Sequence, residues 1–148
     1  MVDCAEAFEN HGCYGGLPSQ AFEYIHHVGG IERGSDYEYH AKDESCKFDA
    51  SKTAITVQGS YNITEGDEVA LIDAIANMGP VSIAYQVNKD FRNYKNGTFT
   101  SDSCGTTTMD VNHAVLAVGY NDAPAEGELP YYIIKNSWGE TWGMGGYF

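Results

Sequence analysis

Basic residues are scarce in this chain of 148: 8 Lys and Arg stand against 21 Asp and Glu, a formal charge of -13. That balance repels phosphate backbones and anionic headgroups, so neither nucleic acid nor an acidic membrane surface is expected as a partner. Long apolar runs are missing too. None approaches the ~18 residues needed to cross a bilayer, and Met1 is followed at once by Asp3, Cys4 and Glu6, so no leader is legible. Cysteine is limited to positions 4, 13, 46 and 104, without the paired short spacings of a zinc site. No metal and no cofactor are therefore expected. Internal repeats and low-complexity stretches are absent, and Gly and Pro are dispersed as turn punctuation, which argues against a string of linked modules.

An apolar fraction of 43% with 20% charged residues suits a globular domain with a sizeable core. The triplets Asn62-Ile63-Thr64 and Asn96-Gly97-Thr98 are N-glycosylation sequons and fit a secretory-pathway protein, where disulfides persist. A first helix is predicted from Pro18 to Val28, with Ala21, Phe22, Ile25 and Val28 on one stripe and Gly29-Gly30 as its stop. His26 and His27 fall in its last turn, where a surface cation suits the helix dipole. A second helix is expected from about Asp67 to Asn77, opened by a capping box of Thr64 with Asp67 and closed by Gly79-Pro80. Val69, Leu71, Ile72, Ile75 and Ala76 are assigned to its apolar face.

Beyond Pro80 the period shifts from helix to strand. Val81, Ile83, Tyr85 and Val87 alternate with smaller or polar neighbours, Asn96-Gly97 marks a turn, and further strands are predicted over 113–120 and 130–136. If these last two pair as a hairpin with Tyr120 opposite Leu129, the same register sets His113 opposite Asn136. Opposed residues share a face roughly 5 Å apart, close enough for an imidazole to hydrogen-bond a carboxamide. An amide oxygen that accepts the ring N–H fixes the tautomer without adding charge, leaving the other nitrogen to take a proton from a thiol. Trp138 could roof the pair. Spacing alone leaves open a buried polar pair that merely satisfies itself, with the tryptophan as core.

Three stretches in order narrow the choice. Asn136-Ser137-Trp138-Gly139-Glu140-Thr141-Trp142-Gly143 with Gly146-Tyr147 resembles the asparagine signature of papain-like cysteine peptidases, and Val111-Asn112-His113-Ala114-Val115 with Val118-Gly119-Tyr120 resembles their histidine signature. Val2-Asp3-Cys4 and Gly12-Cys13-Tyr14-Gly15-Gly16-Leu17-Pro18 are similar to the segment lining the unprimed substrate side, although Tyr14 stands where asparagine is common. Asp110-Val111-Asn112-His113 and the Asn62 sequon point to the cathepsin H and aleurain branch.

The resemblance implies an α+β, papain-like fold: residues 1–60 as the remainder of a helical left domain, and 61–148 as an antiparallel β-barrel right domain, with the cleft between them. It also implies His113 as general base, Asn136 as its orienter and Trp138 as their shield. Gly15 and Gly16 are expected to bind an extended peptide through their backbone, with Leu17, Pro18, Ala84, Val111 and Asn112 lining the site. The same resemblance pairs Cys4 with Cys46 and leaves Cys13 and Cys104 without partners in the chain.

The family's nucleophile is not among these residues. With roughly 130 to 150 residues usual between nucleophile and histidine, the thiol is expected at least about 17 residues before Met1. The chain alone is thus expected to be inactive, to need an N-terminal segment carrying the thiol, and to act on peptide or protein substrates. Cystatin-type inhibitors are implied partners, and lysosome, vacuole or the extracellular space the implied locations. A non-catalytic peptide-binding relative and an unrelated disulfide-rich lectin or inhibitor stay open as alternatives.

Overall fold

A computed structural model describes residues 1–148, and its internal contacts divide into two compact units, Met1–Asn62 and Ile63–Phe148.

The first unit is built on helix α1, Pro18–Val28. Pro18 opens it because a proline loses no hydrogen bond in the first turn and its φ is already helical. Gly29 closes it at φ 88°, a left-handed cap that lets the Gly30 N–H bond back to the Ile25 carbonyl. The helix buries Tyr24 and Ile25 against Ala5, with Phe8, Phe22, Val28, Ile31 and Val57 around them. Tyr24 was not on the predicted stripe. His26 is exposed, and its Nδ1 lies 2.8 Å from the Val57 carbonyl, tying the helix end to the following extended segment.

The rest of this unit is largely irregular and held by side-chain bonds. Cys4 and Cys46 form a disulfide across 42 residues. Beside it, the Asp3 carboxylate accepts the Tyr37 hydroxyl at 2.7 Å and the Glu44 backbone N–H at 2.9 Å. The Tyr37 oxygen accepts the Lys47 N–H in turn. Asp3 thus anchors the loop directly at two places and, through Tyr37, at a third.

In the second unit, helix α2, Glu68–Asn77, is capped by Asp67 itself, whose side chain accepts the Ala70 N–H at 3.0 Å. The predicted Thr64–Asp67 capping box is therefore corrected: a reciprocal box needs its serine or threonine at the cap, and an aspartate already fills that place. Ile75 is buried and Leu71 packs against the core, whereas Val69 is 80% exposed and Ala76 faces solvent, so the apolar stripe is narrower than predicted.

Three strands form an antiparallel sheet in the order β1 (Val81–Tyr85), β2 (His113–Asn121), β3 (Tyr131–Lys135). Between β1 and β2 lies the short helix α3, Lys89–Arg92, whose Phe91 is fully buried. The predicted β2–β3 register is wrong. Tyr120 faces Tyr132 rather than Leu129, and Leu116 faces Lys135. The ladder slips between Ala117 and Gly119, a bulge that periodicity does not reveal. A side chain on Gly119 would crowd Ile133 at 3.3 Å, which is why glycine suits the slip.

Beyond β3 the chain folds back along it. Ile134 and Phe148 exchange both backbone hydrogen bonds, and the Asn136 N–H donates to the Gly146 carbonyl. Gly143 sits at φ 58° with the Tyr147 carbonyl 2.6 Å from where a Cβ would be, so only glycine fits this reversal.

Candidate active site

His113 opens the central strand, with Tyr85 opposite it on β1. Asn136 follows the last residue of β3 and is 7% exposed. Their side chains meet: His113 Nε2 lies 2.9 Å from Asn136 Oδ1. Extending the observed register places Val115, not His113, opposite Asn136. His113 is the diagonal neighbour on the same face, two residues along, still within reach of a long side chain. The pair anticipated from the sequence forms, by a different registration.

The tautomer follows from a second bond. The Ser137 backbone N–H also points at Asn136 Oδ1, at 2.8 Å. A backbone N–H can only donate, so the carboxamide atom at that position is oxygen. His113 Nε2 faces an acceptor and must carry its proton, which leaves Nδ1 as the basic nitrogen. Nδ1 makes no hydrogen bond within the chain.

Aromatic rings enclose the pair. Trp138 lies over the imidazole with ring centroids 5.2 Å apart, and Tyr85 meets it edge-on at 5.9 Å from the β1 side. Behind them Phe91 touches Tyr85, Trp138, Trp142 and Phe148, so the shield rests on a buried aromatic cluster. Two polar atoms in this region are buried without partners, Asn136 Nδ2 and the Tyr85 hydroxyl. Burial pushes the Tyr85 phenol far above its ordinary range. Tyr85, Phe91 and Ser137 were missed by sequence reasoning. Tyr85 enters the sequence reading only as part of the strand alternation, Phe91 not at all, and the role of Ser137 belongs to its backbone.

The remaining expected site residues fall in both units. In the second, Ala84 is exposed and pairs with Ala114, and Val111 is 41% exposed. The Asn112 carboxamide is committed to backbone: Oδ1 accepts the Val87 N–H at 2.8 Å and Nδ2 donates to the Val87 carbonyl at 3.2 Å. It ties the chain after β1 to the start of β2. In the first unit, Gly15 has φ 107° and its carbonyl accepts the His11 N–H, while a side chain on Gly16 would collide with Asn10. Leu17 is 59% exposed and Pro18 begins α1.

Of the four cysteines, two form the disulfide and Cys13 and Cys104 are exposed free thiols. The Cys13 thiol is pushed up by loss of solvation and by the Asp43 carboxylate, against thiolate formation. A nucleophile needs the opposite environment.

Known proteins supply the comparison. The chain is 54% identical to a thiol protease aleurain-like of Arabidopsis thaliana over 148 residues, all of this chain and 40% of that protein. It is 52% identical to pro-cathepsin H of Mus musculus, again over its whole length and 44% of the relative. It thus spans about two fifths of these curated relatives. Among solved structures, digestive procathepsin L 3 of Tenebrio molitor larval midgut superposes with a TM-score of 0.90 at 40% identity, covering 99% of this chain and 46% of that one. The bromelain protease of Ananas comosus, solved with the E64 inhibitor, gives 0.83 at 34% identity, covering 99% of this chain and 64% of that one. The sequence pattern of the papain family matches residues 1–148, and the chain belongs to the papain family of cysteine proteases.

Proposed function

We propose that these residues supply the base, its orienter and part of the substrate wall of a cysteine peptidase, with the nucleophilic thiol provided by a segment outside them. The observation that carries this reading is the doubly donated Asn136 oxygen, which leaves His113 with a single basic nitrogen.

His113 Nδ1 takes the thiol proton, and the resulting imidazolium holds the thiolate as an ion pair. Asn136 keeps the ring in place and adds no charge, so the neighbouring sulfur is not opposed by a carboxylate. Trp138 shields the His113–Asn136 hydrogen bond from water. The thiolate attacks the peptide carbonyl, His113 returns its proton to the leaving amine, and water hydrolyses the thioester. Substrates are peptides or proteins, and inhibitors of the cystatin kind compete for the same wall. The relatives' names and the acidic chain favour a lysosomal, vacuolar or extracellular protein. Without the thiol, the 148 residues alone hydrolyse nothing: the Cys13 thiol is turned against thiolate formation, and His113 Nδ1 bonds no cysteine of the chain.

The test is to refold the chain with, or fused behind, a segment carrying the nucleophilic cysteine and to follow cleavage of an extended peptide. Hydrolysis should appear, stop on alkylation, and fall ~10²–10⁴-fold in kcat/KM with His113→Ala. Hydrolysis that survives His113→Ala overturns the assignment. A peptide that binds and is never cut indicates a non-catalytic binding protein.

A further inference from the structure

We propose that Asn96 carries an N-linked oligosaccharide, placed on a turn that the aromatic cluster of the second unit holds out into solvent. The proposal rests on the lumenal location inferred above.

The sequon Asn96-Gly97-Thr98 occupies the tip of the segment that follows α3. Asn96, Gly97 and Thr98 are all exposed, and neither the Asn96 amide nor the Thr98 hydroxyl makes a hydrogen bond within the chain. A Cβ placed on Gly97 would meet nothing within 4 Å, so the turn faces open space. Gly97 has φ 80°, and its carbonyl accepts the Tyr94 hydroxyl at 2.6 Å, which closes the turn from inside and leaves both sequon side chains uncommitted.

The flanks are anchored. Tyr94 is 6% exposed and packs on Phe91, Trp142 and Phe148, while Phe99 meets Phe91 and Tyr94. Oligosaccharide transfer takes place on the unfolded chain, so the fold decides only whether a bulky, hydrated group can be retained. Here it can be, without disturbing a buried atom. Asn62, the other sequon, is also exposed but lies at the last residue of the first unit, outside any turn.

The chemistry balances with a polyisoprenoid-diphosphate oligosaccharide as donor. Asn96 Nδ2 attacks the anomeric carbon, an N–C bond forms, and the C–O bond to the diphosphate breaks. The diphosphate leaves with the electron pair, and one amide proton passes to a base. The product keeps the asparagine carbonyl and gains the solvated mass typical of surface glycans.

The test uses the protein isolated from its own cells. It is digested with trypsin, treated with a glycan-releasing amidase in heavy-oxygen water, and read by mass spectrometry. Heavy aspartate at position 96 is the expected result. The disulfide-linked Cys4–Cys46 peptide reports the compartment independently. Disulfide present with Asn96 unmodified, or with only the light aspartate of spontaneous deamidation, overturns the proposal and spares the lumenal reading. Reduced cysteines with an unmodified Asn96 overturn both. In secreted recombinant protein, Thr98→Ala should remove one glycan's mobility shift and Asn62→Gln should leave the Asn96 shift in place. A shift unaffected by Thr98→Ala also rejects the proposal.

Discussion

His113 and Asn136 are joined by a 2.9 Å hydrogen bond across a strand pair in which neither is the other's ladder partner. The bond is diagonal. It therefore depends on the strand register and on the tail that returns along β3 and fixes the Asn136 backbone through Gly146. The Asn136 amide nitrogen stays buried and unpaired, a cost of about 1–3 kcal/mol that the fold accepts to keep the oxygen in place.

Replacing Asn136 with alanine should release the ring. Nitrogen NMR of His113 in the chain should show one tautomer, protonated at Nε2, in the native protein and a mixture in Asn136→Ala. An unchanged tautomer in the variant would mean that something other than the carboxamide orients the imidazole.

Tyr85→Phe should stabilise the protein. The hydroxyl is buried without a partner, and burial is what raises its pKa, so removing it relieves desolvation while keeping the ring against His113, Phe91 and Phe148. A gain of about 1 kcal/mol is expected in the urea midpoint at constant slope. A loss of that size would show that the hydroxyl has a partner.

The elements were legible because each carries a local signal. Pro18 and Gly29-Gly30 bracket α1, and the alternation of Val81, Ile83 and Tyr85 marks β1. Register was not legible. The hairpin closes at Asn121 and Tyr131, three residues from the predicted pairing, the bulge at Ala117–Gly119 takes back one of the three, and nothing in the alternation of hydrophobic residues announces either. His113 and Asn136 still meet, because a face of the sheet offers diagonal as well as direct neighbours. The bond that fixes the tautomer could not be foreseen for a different reason: it comes from the Ser137 backbone, which has no residue signature.

The loop around the disulfide should be held best in mildly acid solution. His40 donates to Glu44 at 2.6 Å and lies 3.6 Å from Glu38, and Lys42 and Lys47 also approach Glu44. The bond with Glu44 raises the His40 pKa above its ordinary 6.5, so that contribution is complete below 6.5 and is lost as pH rises through the raised value. The bonds from His40 and Lys42 lower Glu44 from 4.5 to about 2, so its contribution is complete above 4.5 and disappears as pH falls towards 2. Both operate between pH 4.5 and 6.5. Protection of the amides of residues 38–47, taken as the exchange rate relative to the intrinsic rate at each pH, should be greatest in that window and fall on either side. In His40→Gln the alkaline limb should vanish, and if it persists His40 is not its source.

Phe91 should be the most costly single truncation in the second unit. It is fully buried and lies within 6.4 Å, centroid to centroid, of Tyr85, Tyr94, Phe99, Trp138, Trp142 and Phe148. Phe91→Ala removes the ring on which the others lean and leaves a cavity that six large, already constrained side chains cannot collapse to fill. The expected loss is about 3–5 kcal/mol in urea unfolding. Phe91→Leu keeps most of the volume and should cost less. The two should also separate at the site, since Trp138 rests on Phe91 and in turn covers His113. Trp138 mobility, read by fluorescence anisotropy in a Trp142→Phe background, should rise in Phe91→Ala and hardly change in Phe91→Leu. Equal mobility in the two variants would show that the shield is held by the tail alone, and that the buried cluster beneath it contributes stability without positioning.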